Sequence, residues 1–152
     1  MTTSSIGRRT SITLYEETRQ RLASLEISLS NQGLDADRTD IIRALVHAAP
    51  EKEILARGIL RDQEERMPEA KALGLAVEFA PIRMNPEDYR KLERVAGRLK
   101  TMKLKVSVSV LVRGLVMSNL PIEELAVRVR KFAEDLPDGR ALRWQTPRET
   151  RR

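Results

Sequence analysis

The sequence predicts a mainly helical fold in which two copies of a strand–helix–helix unit form an internal pseudo-dimer. The chain repeats without a gap at an offset of 70 residues, and eight of the 37 aligned pairs between Thr10 and Val46 are identical. Apolar positions keep the same register throughout this alignment. Each copy is only about 40 residues long, a size at which a lone chain rarely buries enough apolar surface. We therefore expect the two copies to share one core.

The first copy begins with an alternating segment and continues with helical spacing. Polar and apolar residues alternate over Ser11–Leu14, which is typical of a strand with one solvated face. From Glu16 the apolar residues recur three and four positions apart, so we expect a helix that Gly33 ends. Asp37 or Thr39 can cap a second helix. The apolar faces of these two helices are predicted to consist of Leu22, Leu25, Leu29, Ile41, Ile42, Leu45 and Val46.

A third helix completes the first unit, which covers residues 9–66. Pro50 ends the second helix and can occupy the first turn of the third, predicted at Glu51–Arg66. Residues 1–8 are predicted to be a flexible basic arm. Residues 67–76 are predicted to be the linker to the second unit.

The second copy repeats this order over residues 77–136. Ile82–Met84 is the predicted strand, and Asn85–Glu87 opens the first helix. The apolar face of that helix is expected to consist of Leu92, Val95, Leu99 and Met102. A third helix is predicted at Pro121–Leu136, and residues 137–152 are expected to form a disordered basic tail.

One segment permits two interpretations. Lys105–Val110 alternates like a strand, and its valines favour strands. The repeat instead aligns this segment with a loop and the first turn of the second helix, and Leu111–Val116 matches the first copy closely. We favour the helix because tertiary context often overrides local propensity.

This order of elements resembles the ribbon-helix-helix family of DNA-binding proteins over residues 9–49 and 79–118. The motifs that carry the resemblance are Ser11–Leu14 with Arg38–Arg43 and, as a looser match, Ile82–Met84 with Ser107–Arg113. The resemblance implies that the two strands pair antiparallel as a ribbon that enters the DNA major groove. The expected fold is thus mainly α with a short two-stranded antiparallel β-ribbon, an intramolecular ribbon-helix-helix pseudo-dimer with extra helices.

The resemblance also implies a function. Family members with two units in one chain include accessory proteins of conjugative DNA transfer and of T-DNA export, and other members are transcriptional repressors. We therefore expect a double-stranded DNA-binding protein that acts as a transcriptional regulator or as an accessory factor of plasmid transfer. The fold alone does not separate these two roles, since both use the same ribbon.

The outward face of the ribbon is the predicted reading surface, because side chains alternate between the two faces of a strand. The candidate base readers are Arg9, Ser11, Thr13 and Arg83. Arg can pair bidentately with guanine in the major groove, and hydroxyl groups can donate or accept. An ordinary solvent-facing strand would need no particular residues there. Phe79 and Pro81 depart from the polar readers usual in the family, which predicts asymmetric recognition.

The N-terminus of each second helix is the predicted phosphate site, because free N–H groups and the helix dipole favour an anion. The candidate phosphate-binding residues are Arg8, Arg38, Thr39, Lys103, Lys105, Ser107 and Ser109. Asp37 and Asp40 would repel phosphate, so helix capping is the favoured interpretation for them. We expect tighter anchoring from the second copy.

The formal net charge of +6 is unevenly distributed. Arg83–Arg113 holds nine Lys or Arg against three acids, and residues 137–152 hold five against two, whereas Glu51–Ala70 holds four against six. Such clustering favours a polyanionic partner such as double-stranded DNA, with general solubility as the open alternative. Self-association on DNA is also expected, since one ribbon reads only a short stretch.

Other classes of function find little support. The absence of cysteine excludes disulfides and thiolate metal sites and fits a cytoplasmic protein. No apolar run approaches the roughly 20 residues that span a bilayer, so no membrane partner is expected. His47 and Glu51 form a poor metal pair because Pro50 lies between them, and no nucleophile has a recognisable base. We expect no enzyme activity, cofactor or metal.

A second hypothesis is a helical protein–protein interaction module with only nonspecific DNA binding or none. The two third helices exceed what a minimal ribbon-helix-helix unit needs. They could cover the shared core or dock a protein partner, and the apolar stripe of Pro121–Leu136 fits both roles.

Overall fold

A computed structural model of the 152-residue chain describes residues 8–67 and 77–135. Over these ranges the protein is mainly helical with a two-stranded antiparallel sheet, as the sequence predicts. The elements in chain order are β1 (Arg8–Tyr15), α1 (Glu16–Asn31), α2 (Arg38–Ala48), α3 (Glu51–Glu65), β2 (Val77–Met84), α4 (Pro86–Thr101), α5 (Val108–Val116) and α6 (Ile122–Asp135). Within the same ranges, no helix combines the length and apolar character that crossing a membrane requires.

Both strands are longer than the sequence predicted. Arg8, assigned to the basic arm, is the first residue of β1, and β2 begins at Val77 rather than at Ile82. The two strands pair with each other along their whole length. The extra length of each strand depends on hydrogen bonds to the strand of the other copy. A local alternation pattern does not reveal that partner. The rest of the arm, the linker after Met67 and the tail lie outside the described residues.

The register of the ribbon pairs positions that are equivalent in the repeat. Ser11 lies opposite Pro81, and these residues are separated by the repeat offset of 70. Arg9 lies opposite Arg83 on one side of this pair. The two copies therefore meet at the same repeat position, which is the centre of the ribbon.

Alternate residues of the ribbon face the helices and the solvent. The inward side chains are buried, and they are Ile12, Leu14, Ala80, Ile82 and Met84. The outward residues Arg9, Ser11, Phe79, Pro81 and Arg83 are exposed, and Thr13 is half-buried. The two faces predicted from the alternation of the sequence are therefore the faces that the ribbon has.

The second helices begin at side-chain caps. The Asp37 carboxylate accepts a hydrogen bond from the Asp40 N–H at 2.9 Å, and the Asp40 carboxylate accepts one from the Asp37 N–H at 3.1 Å. Helix capping by these aspartates is therefore confirmed, with Asp37 rather than Thr39 as the N-cap. The Ser107 hydroxyl caps α5 by accepting from the Val110 N–H at 3.3 Å. The segment with two interpretations is thus a loop followed by a helix.

The first helix of each copy ends in the same left-handed turn. Gly33 has a φ of +82°, and its repeat equivalent Lys103 has a φ of +66°. In both turns the N–H of the next residue, Leu34 or Leu104, donates to a carbonyl of the last helical turn at 2.9 Å, as in a Schellman motif. Glycine adopts this conformation freely, whereas Lys103 bears the steric cost of its Cβ.

The third helices pack against the opposite copy. α3 contacts α5, and α6 contacts α2. These crossed contacts and the ribbon join the buried side chains of both copies into one largely aliphatic cluster, in which Phe132 is among the largest members. The predicted apolar faces of α1 and α2 are buried in it. Met102, assigned to the apolar face of α4, is 54% exposed because it follows the last turn of that helix as its C-cap.

A glycine sets the distance between α3 and α5. A Cβ placed on Gly114 would lie 2.7 Å from the carbonyl oxygen of Arg57 in α3. The obstacle is main chain, which has no rotamer that would relieve the clash. The equivalent residue of the first copy is Ala44, which is fully buried in α2. The requirement for glycine is therefore specific to the second copy.

Gly114→Ala should lower the free energy of unfolding by about 1–3 kcal/mol, because the added methyl group forces α3 and α5 apart. Gly97→Ala is the matched control, since nothing lies within 4 Å of the position that its Cβ would take in α4. That substitution should raise the free energy of unfolding by about 0.5–1 kcal/mol through helix propensity. Urea unfolding followed by circular dichroism measures both. Effects of the same sign would contradict a close approach specific to Gly114.

His47 joins three helices through its two ring nitrogens. Nδ1 lies 2.9 Å from an oxygen of Asp88 in α4, and Nε2 lies 2.9 Å from an oxygen of Asp135 in α6. The hydrogen bond with Asp88 is the main cause that raises the pKa of His47, and it acts against burial and together with Asp135. Glu51, the residue first considered as its metal-binding partner, instead accepts from Arg94 at 2.9 Å.

The stability of the protein should fall at alkaline pH. The charged His47 ring contributes stability that is fully present below its unfolded-state pKa of 6.5 and is lost as the pH rises through the higher folded-state pKa. Thermal unfolding from about pH 5 to pH 9 should show this fall, and His47→Gln should flatten it. Lys131→Ala is the control, because Lys131 pairs with the same Asp135 carboxylate at 3.3 Å. An equal slope in wild type and His47→Gln would refute the assignment.

Candidate nucleic-acid interface

The outer face of the ribbon brings the predicted base readers together. Arg9, Ser11 and Arg83 are exposed on it, and Thr13 is half-buried. These residues occupy alternate positions on two paired strands, so their side chains project to one side. Arg8, a predicted phosphate contact, is the first residue of the same ribbon. The outer face of the ribbon therefore presents two arginines and two hydroxyl side chains, with the exposed Phe79 and Pro81 between them.

Two arginines face each other across this surface. Arg9 lies directly opposite Arg83, and the salt bridges within residues 8–67 and 77–135 include neither guanidinium. Opposite residues of an antiparallel pair have Cα atoms only about 4.5–5.5 Å apart. Like charges at this spacing repel each other, so the arrangement costs stability unless an anion lies between them.

Helix α5 lies along the outer edge of β1. The Thr13 N–H donates to the Ser109 hydroxyl at 2.9 Å, and the Thr13 carbonyl accepts from Arg113 at 2.7 Å. The main-chain groups of Thr13 therefore point away from β2, and alternation gives Ser11 and the opposite Pro81 the same orientation. Pro81 thus removes no hydrogen bond from the ribbon, which explains how proline fits in β2.

Arg113 is the buried centre of the network that fixes this edge. It is 3% exposed and donates two hydrogen bonds, at 2.7 and 2.8 Å, to the carboxylate of Glu65. Its guanidinium lies 4.3 Å from the centre of the Tyr15 ring. Arg61 donates to the same Glu65 carboxylate at 2.8 Å and to Glu17 at 2.8 Å. The network ties β1 to α1, α3 and α5.

The N-terminus of α2 reaches β2 through an ion pair. Arg38 donates to the carboxylate of Glu78 at 3.3 Å, and the Arg19 Nε lies 3.8 Å from it. The hydrogen bond with Glu78 raises the pKa of Arg38, and it lowers the pKa of Glu78. Arg38, a predicted phosphate contact, is therefore already paired with a carboxylate of the protein. Thr39 follows it, half-buried, in the first turn of α2.

The N-terminus of α5 has a different character. The predicted phosphate contacts Lys103, Lys105 and Ser107 are all exposed there, and Ser109 is half-buried against β1. Lys100, Lys103 and Lys105 line an open groove with a volume of about 710 Å³. The end of α5 thus combines free helix N–H groups with three cationic side chains, whereas the end of α2 carries two capping aspartates.

Sequence reasoning missed the residues that position this surface. Glu78 lies in the part of β2 that local alternation did not predict, and Glu65 is 48 positions from Arg113. Neither carries a local signal, since an ion pair of this kind appears only once the register and helix packing are known.

Comparisons with protein-family models, with curated proteins and with solved structures found no match to this chain. The ligand of this surface is therefore inferred from the chemical groups that it presents. It is a cationic and hydroxyl-bearing ribbon flanked by two helix N-termini, which is an arrangement suited to a polyanion.

Arg113→Ala should lower the free energy of unfolding by about 3–5 kcal/mol, because it removes the main partner of the largely buried Glu65 and one anchor of β1. The matched control is Arg94→Ala, whose exposed pair with Glu51 should contribute no more than about 1 kcal/mol. Guanidinium unfolding measures the two losses. A cost for Arg113→Ala no larger than that of the control would contradict its anchoring role.

Proposed function

We propose that this protein binds double-stranded DNA and reads the major groove with the β1–β2 ribbon. The two copies act as the two units of an intramolecular ribbon-helix-helix pseudo-dimer, each of which supplies one strand. The observation that carries the proposal is the outer ribbon face, on which Arg9 lies opposite Arg83 without a carboxylate salt bridge from residues 8–67 and 77–135. A two-stranded ribbon has the dimensions of the B-DNA major groove.

The register of the ribbon supports the pseudo-dimer. In a symmetric dimer, the central residue of the strand pairs with the same residue of the other subunit. Here Ser11 pairs with Pro81, its equivalent in the repeat. The crossed packing of α3 on α5 and of α6 on α2 follows the same exchange between copies. Both observations support the proposal that the two copies are related as two subunits would be.

The flanking helices favour phosphate contacts on both sides of the ribbon. The first turn of α5 lies at β1 through the bond between Ser109 and Thr13, and the first residue of α2 lies at β2 through the pair of Arg38 with Glu78. A ribbon seated in the groove would bring both helix N-termini close to the phosphate strands. The lysines beside α5 make that side the stronger anchor, so binding would be asymmetric.

The packing of α6 gives no support to the alternative of an interaction module that docks a partner through its apolar stripe. Leu125, Ala126, Val129, Phe132 and Ala133 are all buried against the protein's own core.

The proposed role of the protein is transcriptional regulation or an accessory function in plasmid or conjugative DNA transfer, in the cytoplasm. Sequencing the fragments of source DNA that the protein retains would separate these roles. Retention of a promoter would indicate transcriptional regulation, and retention of a site beside a nicking sequence would indicate DNA transfer.

Replacing both Arg9 and Arg83 with Ala should weaken binding to a selected duplex by about 10- to 100-fold per lost guanine contact. Binding to a random duplex should weaken only a fewfold, because that complex loses ionic contacts alone. Fluorescence anisotropy at fixed salt measures both affinities. Lys52→Ala is the control for the loss per removed charge, since it removes one positive charge, where the double variant removes two, from an exposed residue in the first turn of α3.

The outcomes separate base reading from charge attraction. Equal losses on the selected and the random duplex would leave only nonspecific binding. A wild-type protein that binds neither duplex at low salt would refute the proposed function.

A further inference from the structure

The groove between α4 and α5 combines an apolar floor with a cationic rim. The buried or half-buried residues Ala96, Leu104 and Val106 form the floor, and the exposed lysines 100, 103 and 105 form the rim. Gly97 keeps the groove open, because nothing lies within 4 Å of the position that its Cβ would occupy. We call this surface the basic groove.

The equivalent surface of the first copy has the opposite charge and shape. The residues at the repeat positions of the groove are Glu26, Ile27, Ser30, Gly33, Leu34, Asp35, Ala36 and Asp37. Ile27 stands where the groove has Gly97, and its side chain is 65% exposed. The neighbouring cation, Arg38, is offset by its pair with Glu78. We call Ile27 with Glu26 and Asp37 the acidic knob.

We propose that the acidic knob of one copy of this protein docks into the basic groove of a second copy. The Ile27 side chain enters the space that Gly97 leaves open and buries its apolar surface against the floor of the groove. Glu26 and Asp37 then face the lysines of the rim. The charges guide the encounter and set the orientation, and the apolar contact supplies most of the affinity.

The geometry of the repeat makes this contact head-to-tail. The knob and the groove occupy equivalent places in the two halves of the molecule, on either side of the Ser11–Pro81 centre of the ribbon. The knob of one molecule therefore does not fill the groove of the same molecule. A contact between two different surfaces is heterologous, so each added copy leaves a free knob at one end and a free groove at the other. The association needs no DNA and does not rest on the proposed function. Because Lys103 and Lys105 are also the proposed phosphate contacts, a groove filled by the knob of a second molecule cannot hold DNA phosphate at the same time.

Sedimentation equilibrium of the full chain without DNA tests this contact. As the protein concentration is raised to about 1 mM chain, the average mass should exceed that of a dimer. Added salt should lower it, since the charges of knob and groove are screened. A mass that stays at the monomer over this range overturns the proposal. If that monomer still binds DNA selectively, the proposed function survives without this inference.

Two substitutions remove one surface each. Ile27→Lys destroys the knob, and Gly97→Leu fills the groove. Each variant alone should associate at least about tenfold more weakly than the wild type, which corresponds to the lost burial of one aliphatic side chain. Val127→Lys on α6 is the matched control, because Val127 is 61% exposed and belongs to neither surface. Undiminished association of either variant overturns the proposal.

Mixing the two variants gives the decisive result. Ile27→Lys keeps an intact groove and Gly97→Leu keeps an intact knob, so the mixture should form dimers that grow no further. A second pair guards against a local disturbance of α4 by leucine. Glu26→Lys and Lys100→Glu should each weaken association, and their mixture should recover it because the reversed charges match again. Mixtures that associate no better than the single variants overturn the head-to-tail contact.

Discussion

The pairing of β1 with β2 is the contact on which the rest of the structure depends. Each strand has the other as its sheet partner, and a two-stranded ribbon alone is marginally stable in water. The buried inner side chains, among them Ile12 and Ile82, couple the ribbon to the helical core. The pairing brings the two copies together at Ser11 and Pro81, and this register decides which side chains face outward.

The helices contact this ribbon at its inner face and along the outer edge of β1. A two-stranded sheet leaves both outer edges unpaired, and α5 covers part of one edge by bonding the main chain of Thr13. Burying the Arg113 guanidinium is costly, and its two bonds to Glu65 and its contact with the Tyr15 ring offset that cost. Charged groups in the interior therefore anchor the main chain of β1 at its outer edge.

The features that could be predicted from the sequence are those with a local cause. The N-cap at Asp37 and the turn at Gly33 follow from single residues, and the inward and outward faces of the ribbon follow from alternation. The helix after Ser107 could be predicted only from the repeat, against the β-propensity of its valines. The full strand lengths, the opposition of Arg9 to Arg83 and the bonds of His47 depend on partners far along the chain.

Each third helix rests on the second helix of the other copy, so the peptide connection between residues 67 and 77 is not what holds the halves together. A chain severed in that interval would leave two fragments, each of which buries its apolar face against the other. They should reassemble as a two-chain heterodimer, at an affinity reduced by the lost effective concentration of the tether. A gene divided at this point would therefore encode two chains that assemble into the same fold.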